Sequence, residues 1–235
     1  MSFYDHYAVR NRNSFGVKVK KRFAEKLFNL TIQQKENLIK ILEIGPGDGY
    51  IASLAKKNNF DYTGIEGSNE VYSSLKNEGY NIMLKMVPPL PENLNNYDVC
   101  FALHIIEHLN SIVEAAQFIQ QIKSKLNEGG KIVIATPDYL KWGMDFYNCD
   151  YSHNLPFTIK RLYQLFINEG LRIEYAGYYV GDQFSFLRIP IYWLGKLLYL
   201  RGIDNLFKNS LKSDIWYRAY LTCLPNIVMI AKKIN

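Results

Sequence analysis

Residues 43–49 read Glu-Ile-Gly-Pro-Gly-Asp-Gly. Gly45, Gly47 and Gly49 can take positive φ and let the backbone approach a ligand closely. A helix starting just after them presents free N–H groups. Dinucleotide-binding loops use a similar device, but their third glycine falls three residues after the second. Tyr50 stands at that place. Two acids, Glu43 and Asp48, flank the loop, where they repel a pyrophosphate and attract a cation. Glu66 lies 21 residues beyond Gly45. A carboxylate there can accept hydrogen bonds from both hydroxyls of a ribose. In this order the residues predict a site for a cationic nucleoside.

A second group is built on histidine, the side chain best placed to move protons near neutral pH. His104-Ile105-Ile106-Glu107-His108 spells H-x-x-E-H, a zinc-protease signature when it lies on a helix. The segment directly follows an apolar strand, so His104 belongs at a strand end rather than in mid-helix. No metal is expected on that ground, and a metal-dependent hydrolase stays as an alternative. His153, in Asp150-Tyr151-Ser152-His153, is the first candidate for a general base and His104 the second. The alternative for His153 is that it only orders its loop. His108 reads as a packing histidine.

These residues need a scaffold. Residues 15–37 read as an amphipathic helical lead-in. Apolar runs and helical segments then alternate: strand Leu38–Ile44, helix Tyr50–Asn58, strand Asp61–Ile65, a helix capped by Ser68 and ending near Gly79, and a weak strand Asn81–Lys85. Pro88 to Pro91 must be loop. Strand Tyr97–Leu103 is followed by a helix opened by the capping-box string Ser111 to Glu114 and ending near Leu126. Gly129-Gly130 turn the chain into strand Lys131–Ala135. Thr158 opens a helix stopped by Gly170. Strands Leu171–Tyr179 and Ile227–Lys232 complete the pattern, separated by an aromatic, basic, helical stretch, Phe184–Leu224. Such alternation implies an α/β fold, a mainly parallel sheet with helices on both faces. Its C-terminal strand edge is where ligands bind.

At several separate points the chain resembles class I S-adenosylmethionine-dependent methyltransferases, in the small-molecule branch that includes the ubiquinone-biosynthesis enzymes and the type 11 and type 23 groups. Leu42 to Gly49 resembles their first motif, and Gly64-Ile65-Glu66 their second. Tyr97 to His108 resembles the strand-4 segment. Leu126 to Gly130, through Thr136-Pro137-Asp138, resembles the strand-5 motif. His153 to Thr158 and Glu169-Gly170-Leu171 resemble the next. The likeness spans roughly residues 38–180. It implies a Rossmann-like seven-stranded sheet of order 3-2-1-4-5-7-6 with its last strand antiparallel. It also implies roles in binding S-adenosylmethionine, which leaves as S-adenosylhomocysteine. Glu43, Gly45, Pro46, Gly47, Asp48 and Gly49 would hold the methionine part. Glu66 and Gly67 would hold the ribose, and Met86 would edge the adenine. Leu103 and His104 would lie near the sulfonium. The acid often found near Met86 in this family is absent, so a backbone N–H would serve the adenine.

The rest of the chain bounds the function. Its 235 residues suffice for one α/β domain. The expected organisation is a lead-in or lid (1–37), a cofactor-binding core (38–183), a helical aromatic insert (184–224) and a final strand (225–235). The Phe3 to Tyr7 cluster would form the lid, or a helix packed on the domain surface. Three scattered cysteines fit a reducing cytoplasm, and no signal peptide is evident. Residues 1–40 and 184–235 each carry a net charge of +6, and the stretch between them −6. Basic ends suit an anionic surface or a phosphorylated substrate, or are ordinary solvated faces. Residues 184–200 suit an interfacial segment on the inner membrane face, with Trp193 and Tyr199 at headgroup depth, or packing within the domain or a homodimer. A nucleic-acid substrate is disfavoured, because no Asn/Asp-Pro-Pro-Tyr/Phe string follows strand 4. The expected reaction is methyl transfer to a hydroxyl, or less favourably an amine, of a small-molecule or saccharide acceptor, with a lipid-linked one included. A cofactor-binding interaction protein without turnover is the alternative.

Overall fold

The computed structural model describes residues 14–32, 39–184, 186–200 and 217–234. Seven strands form one sheet: β1 (Lys40–Ile44), β2 (Asp61–Glu66), β3 (Ile82–Leu84), β4 (Tyr97–Leu103), β5 (Leu126–Pro137), β6 (Leu171–Tyr179) and β7 (Asn226–Lys233). Their order is β3-β2-β1-β4-β5-β7-β6. The pairs from β3 through β5 are parallel, and β7 runs antiparallel to both β5 and β6. Fold and strand order are those expected.

The central strands are buried on both faces, as parallel strands must be when helices cover them. Successive side chains point to opposite sides. Cys100 and Ala102 of β4 and Ile132 and Ile134 of β5 join one core; Val99 and Phe101, with Val133 and Ala135, join the other. The first core is closed by helices α4 (Ile112–Lys125) and α7 (Ile159–Asn168), through Phe118, Ile119, Ile122, Leu162, Leu165 and Phe166. The second is closed by α1 (Ser14–Thr31), α2 (Tyr50–Lys57) and α3 (Asn69–Asn77), through Leu27, Phe28, Ile51, Ala52, Ala55 and Leu75. Phe28 stacks on Phe101 with centroids 6.3 Å apart, which seats α1 on the sheet.

The helix starts follow their caps. Ser68, Ser111 and Thr158 each accept a hydrogen bond from the backbone N–H three residues on. The expected capping box differs in one respect. Glu114 reaches back to the backbone N–H of Asn110, at 2.7 Å, rather than to that of Ser111.

Four further elements depart from expectation. β5 begins at Leu126, not Lys131, because Leu126 pairs with Tyr97 before the register shifts. Gly129-Gly130 therefore lie inside the strand as an irregularity, with Gly129 at φ 77. Short helices α5 (Tyr139–Trp142) and α6 (Asp145–Asn148) and a 3-10 turn, Ile106–His108, were not expected. The proposed lid cluster Phe3 to Tyr7 lies outside the described residues. The described part of the insert holds helix α8 (Arg188–Leu200) and a helical turn from residue 217. Among the described residues no helix is long and apolar enough to cross a membrane.

Candidate functional site

The strand order reverses between β1 and β4, and the expected residues gather at the C-terminal ends of these strands. The loop after β1 is tight. Gly45, Gly47 and Gly49 all have positive φ, at 71, 52 and 72°. The Gly45 N–H donates to the Ile65 carbonyl (2.9 Å) and the Gly49 N–H to the Pro46 carbonyl (2.9 Å). A Cβ on Gly45 would also strike the Ile105 side chain, so the loop lies directly against the segment after β4. Pro46 is buried, whereas Gly47 is exposed.

The acids around the loop have distinct environments. Glu43 is 3% exposed, and its Oε2 accepts a 2.6 Å hydrogen bond from the Tyr62 hydroxyl. Gly64 pairs with Glu43 across the strands. A side chain on Gly64 would meet the Tyr62 hydroxyl at 2.8 Å, so glycine there clears its route. Burial pushes the Glu43 carboxyl up to about 7, with a smaller contribution from Glu66. Glu66, half-buried, accepts from the Ser68 N–H at 2.8 Å. Burial raises its pKa, and the Ser68, Gly47 and Gly67 backbone N–H groups oppose that rise. Asp48 pairs with Lys20 of α1 at 3.1 Å. Met86 is exposed and lies over Gly67, where a Cβ would meet its sulfur. Leu103 is half-buried at the end of β4.

These residues fit an adenosyl sulfonium ligand. Three carboxylates border a backbone cradle, and one of them is held part-protonated by burial until a cation arrives. A testable consequence follows for the ligand-free protein. The folded Glu43 carboxyl titrates at about 7 and its unfolded counterpart near 4.5. The folded state therefore holds the extra proton between those values. This contribution to stability is full below about pH 4.5 and is lost as pH rises to about 7, by roughly 3 kcal/mol. Thermal melts across this range should show that decline, and Glu43→Gln should flatten it. An equal decline in Glu43→Gln would contradict the assignment.

The histidines gather around Glu107. The backbone takes a left-handed turn at His104 (φ 58), so the H-x-x-E-H string is not one helix. The helical zinc-protease arrangement is thereby absent. His104 Nδ1 donates to Glu107 Oε1 at 3.0 Å. In the neutral ring its Nε2 then accepts from the Tyr179 hydroxyl at 2.8 Å. His153 is carried in by the loop after β5, whose Asn154 and Leu155 N–H groups both donate to the Glu107 carbonyl. His153 Nδ1 donates to the Phe146 carbonyl at 2.7 Å, which fixes the lone pair on Nε2. The His108 and His153 ring centroids are 4.9 Å apart. Glu107 is fully buried. Burial raises its pKa, but the His104 hydrogen bond and the charges of His104, His108 and His153 outweigh that and hold it low. Burial in turn holds the His153 imidazole below its ordinary value, against the pull of Glu107.

The structure thus brings His104, His108 and His153 together through a residue to which the sequence reading gave no role. Glu107 was noted only as part of a metal string. Tyr62 and Tyr179 were also missed. A tyrosine on a buried strand needs a partner for its hydroxyl, and that is the signal that could have flagged both.

Comparison with known proteins agrees with this geometry. A family described as a methyltransferase domain matches residues 14–176. No curated protein matches the chain. Among solved structures, a SAM-dependent methyltransferase from Archaeoglobus fulgidus superposes with a TM-score of 0.65 at 15% identity, over 99% of this chain and 100% of that one. One from Mesorhizobium loti gives 0.62 at 11% identity, over 89% and 98%. The plantazolicin methyltransferase BpumL, solved with SAH, gives 0.58 at 16% identity, over 92% and 83%. The chain belongs to the methyltransferase-domain family and is a class I S-adenosylmethionine-dependent methyltransferase.

Proposed function

We propose that the acceptor is a hydroxyl of a small molecule or saccharide. The observation that carries this is the Glu107-centred cluster of His104, His108 and His153 on the segment that packs against the glycine loop. When bound, S-adenosylmethionine supplies a methyl group already activated by its sulfonium, so the protein's share is largely positioning. An aliphatic hydroxyl still has to lose its proton as the oxygen attacks, and it is the acceptor that most needs such a cluster. Tyr179 and Glu107 hold the His104 ring from both sides. Phe146 holds His153 from one side only and leaves Nε2 to act. This favours His153 over His104 as the group that readies the acceptor. The direct test is S-adenosylhomocysteine release with matched hydroxyl and amine acceptors. Release with hydroxyl acceptors supports the proposal. Release with amines alone, or with neither, contradicts it.

A lipid-linked acceptor is favoured by the outer face of α8. Its inner side is fixed: Gly195 is buried against Cys223, and Lys196 Nζ lies 2.9 Å from the Tyr220 hydroxyl. Tyr220 in turn donates to Asp145 at 2.9 Å. Ile189, Trp193, Leu194 and Leu197 face outward, with Trp193 65% exposed. An exposed aromatic and aliphatic stripe on a basic segment matches an anionic lipid interface. The protein is expected to float with anionic liposomes, and Trp193→Glu to abolish flotation. Flotation unchanged by Trp193→Glu, or dimerisation through this face in its place, would overturn the membrane reading.

A further inference from the structure

The cluster of Glu107, His108 and His153 contains an unmet demand. Glu107 is fully buried, one carboxylate oxygen is engaged by His104, and the other, Oε2, has no hydrogen-bond partner among the described residues. A buried carboxylate oxygen without a donor is costly, and such atoms usually meet a hydrogen or a metal. Each of Glu107, His108 and His153 offers a ligand atom within 4.8 Å of those of the other two.

The hydrogen bonds behind the two imidazoles decide which atoms these are. The Phe146 carbonyl can only accept, so His153 Nδ1 bears the hydrogen and Nε2 the lone pair. The Ser152 hydroxyl donates to Asp150 Oδ1 at 2.6 Å. It must therefore accept at 2.9 Å from His108 Nδ1, which again puts the lone pair on Nε2. A carbonyl or hydroxyl behind Nδ1, with Nε2 presented forward, is how ligating histidines are oriented.

We infer that Glu107, His108 and His153 form a binding site for a divalent first-row transition cation. Two imidazoles and one carboxylate suit Zn²⁺, Co²⁺, Mn²⁺ or Fe²⁺ rather than an alkaline-earth ion. Two ligands, each about 2.1 Å from a shared ion, lie at most about 4.2 Å apart, so from a spread within 4.8 Å binding asks for an inward movement of at most roughly 0.6 Å. Three protein ligands leave an open coordination position. Here the inference deepens the proposed hydroxyl transfer and rests on it. An acceptor hydroxyl in that position would have its pKa lowered by the cation, lose its proton to water, and keep the electron pair that forms the new C–O bond. His153 then serves as a ligand. His104 is not in the set: its hydrogen bond orients Glu107, unlike the zinc-protease string, in which it would ligate.

The test needs neither acceptor nor cofactor. Chelator-treated full-length protein is titrated with Co²⁺ alone, and the visible absorption of the bound ion is followed. Binding is expected to saturate at one ion per chain. Glu107→Gln and His153→Asn should each weaken it by more than the roughly 10- to 100-fold typical of losing an orienting partner. Ser152→Ala should fall within that range, and His104→Gln should retain the stoichiometry. S-adenosylhomocysteine affinity, measured in parallel, reports whether each variant is folded. Absence of cobalt absorption, or binding that survives both Glu107→Gln and His153→Asn, would overturn the site. Cobalt binding in a protein with no affinity for S-adenosylhomocysteine would instead overturn the methyltransferase reading and leave the cation site standing.

Discussion

Replacing His153 with Ala is expected to lower turnover by roughly 100-fold or more while leaving S-adenosylmethionine affinity unchanged. The size follows from what the side chain does. Its ring is held by the Phe146 carbonyl, its centroid lies 4.9 Å from that of His108, and a ring nitrogen lies within 4.8 Å of a Glu107 carboxylate oxygen. On the role proposed for it, removing it takes away the group that readies the acceptor oxygen. The selectivity follows from where the side chain sits. Its loop is anchored through the backbone bonds of Asn154 and Leu155 to the Glu107 carbonyl, outside Gly45–Gly49 and Glu66. Turnover and cofactor binding should therefore separate. Equal loss of both would show that His153 only holds the loop in shape.

Glu66→Ala should do the reverse, weakening cofactor binding by about 100-fold. A carboxylate accepting from two ribose hydroxyls contributes two charge-assisted hydrogen bonds, each worth about 1.5–3 kcal/mol, and part of this is offset by the water displaced. Glu66 has a second duty, since it accepts from the Ser68 N–H at the start of α3. Some stability will be lost with it. Glu66→Gln separates the two effects, because an amide oxygen can still accept from Ser68 but lacks the charge. Isothermal titration with S-adenosylhomocysteine should rank wild type, Gln and Ala in that order. Wild-type affinity in Glu66→Ala would remove Glu66 from the site.

How far the sequence could be read depended on the range of each interaction. The caps at Ser68, Ser111 and Thr158 were legible because each bond spans three residues. The central strands were legible because burial on both faces leaves apolar runs at Val99–Leu103 of β4 and Ile132–Ala135 of β5. The first residues of β5 were not. Gly129-Gly130 look like a turn, and only the pairing of Leu126 with Tyr97 draws them into the sheet. The places of the loop glycines after β1 and of Glu66 at the end of β2 were readable from spacing. The Glu43–Tyr62 bond was not, because it depends on the β1–β2 register and on the space left at Gly64. The role of Glu107 was hidden for a similar reason. His153 lies 46 positions away, and the fold of the intervening loop brings the two together.

The loop from Gly45 to Gly49 and the Glu66 carboxylate are proposed to hold the adenosyl cofactor. A crystal structure of the protein soaked with S-adenosylhomocysteine tests this most directly. The ligand is expected at the C-terminal ends of β1 and β2, with both ribose hydroxyls within hydrogen-bond distance of Glu66, about 2.5–3.0 Å. Ligand density elsewhere on the sheet, or a ribose that Glu66 does not touch, would contradict it.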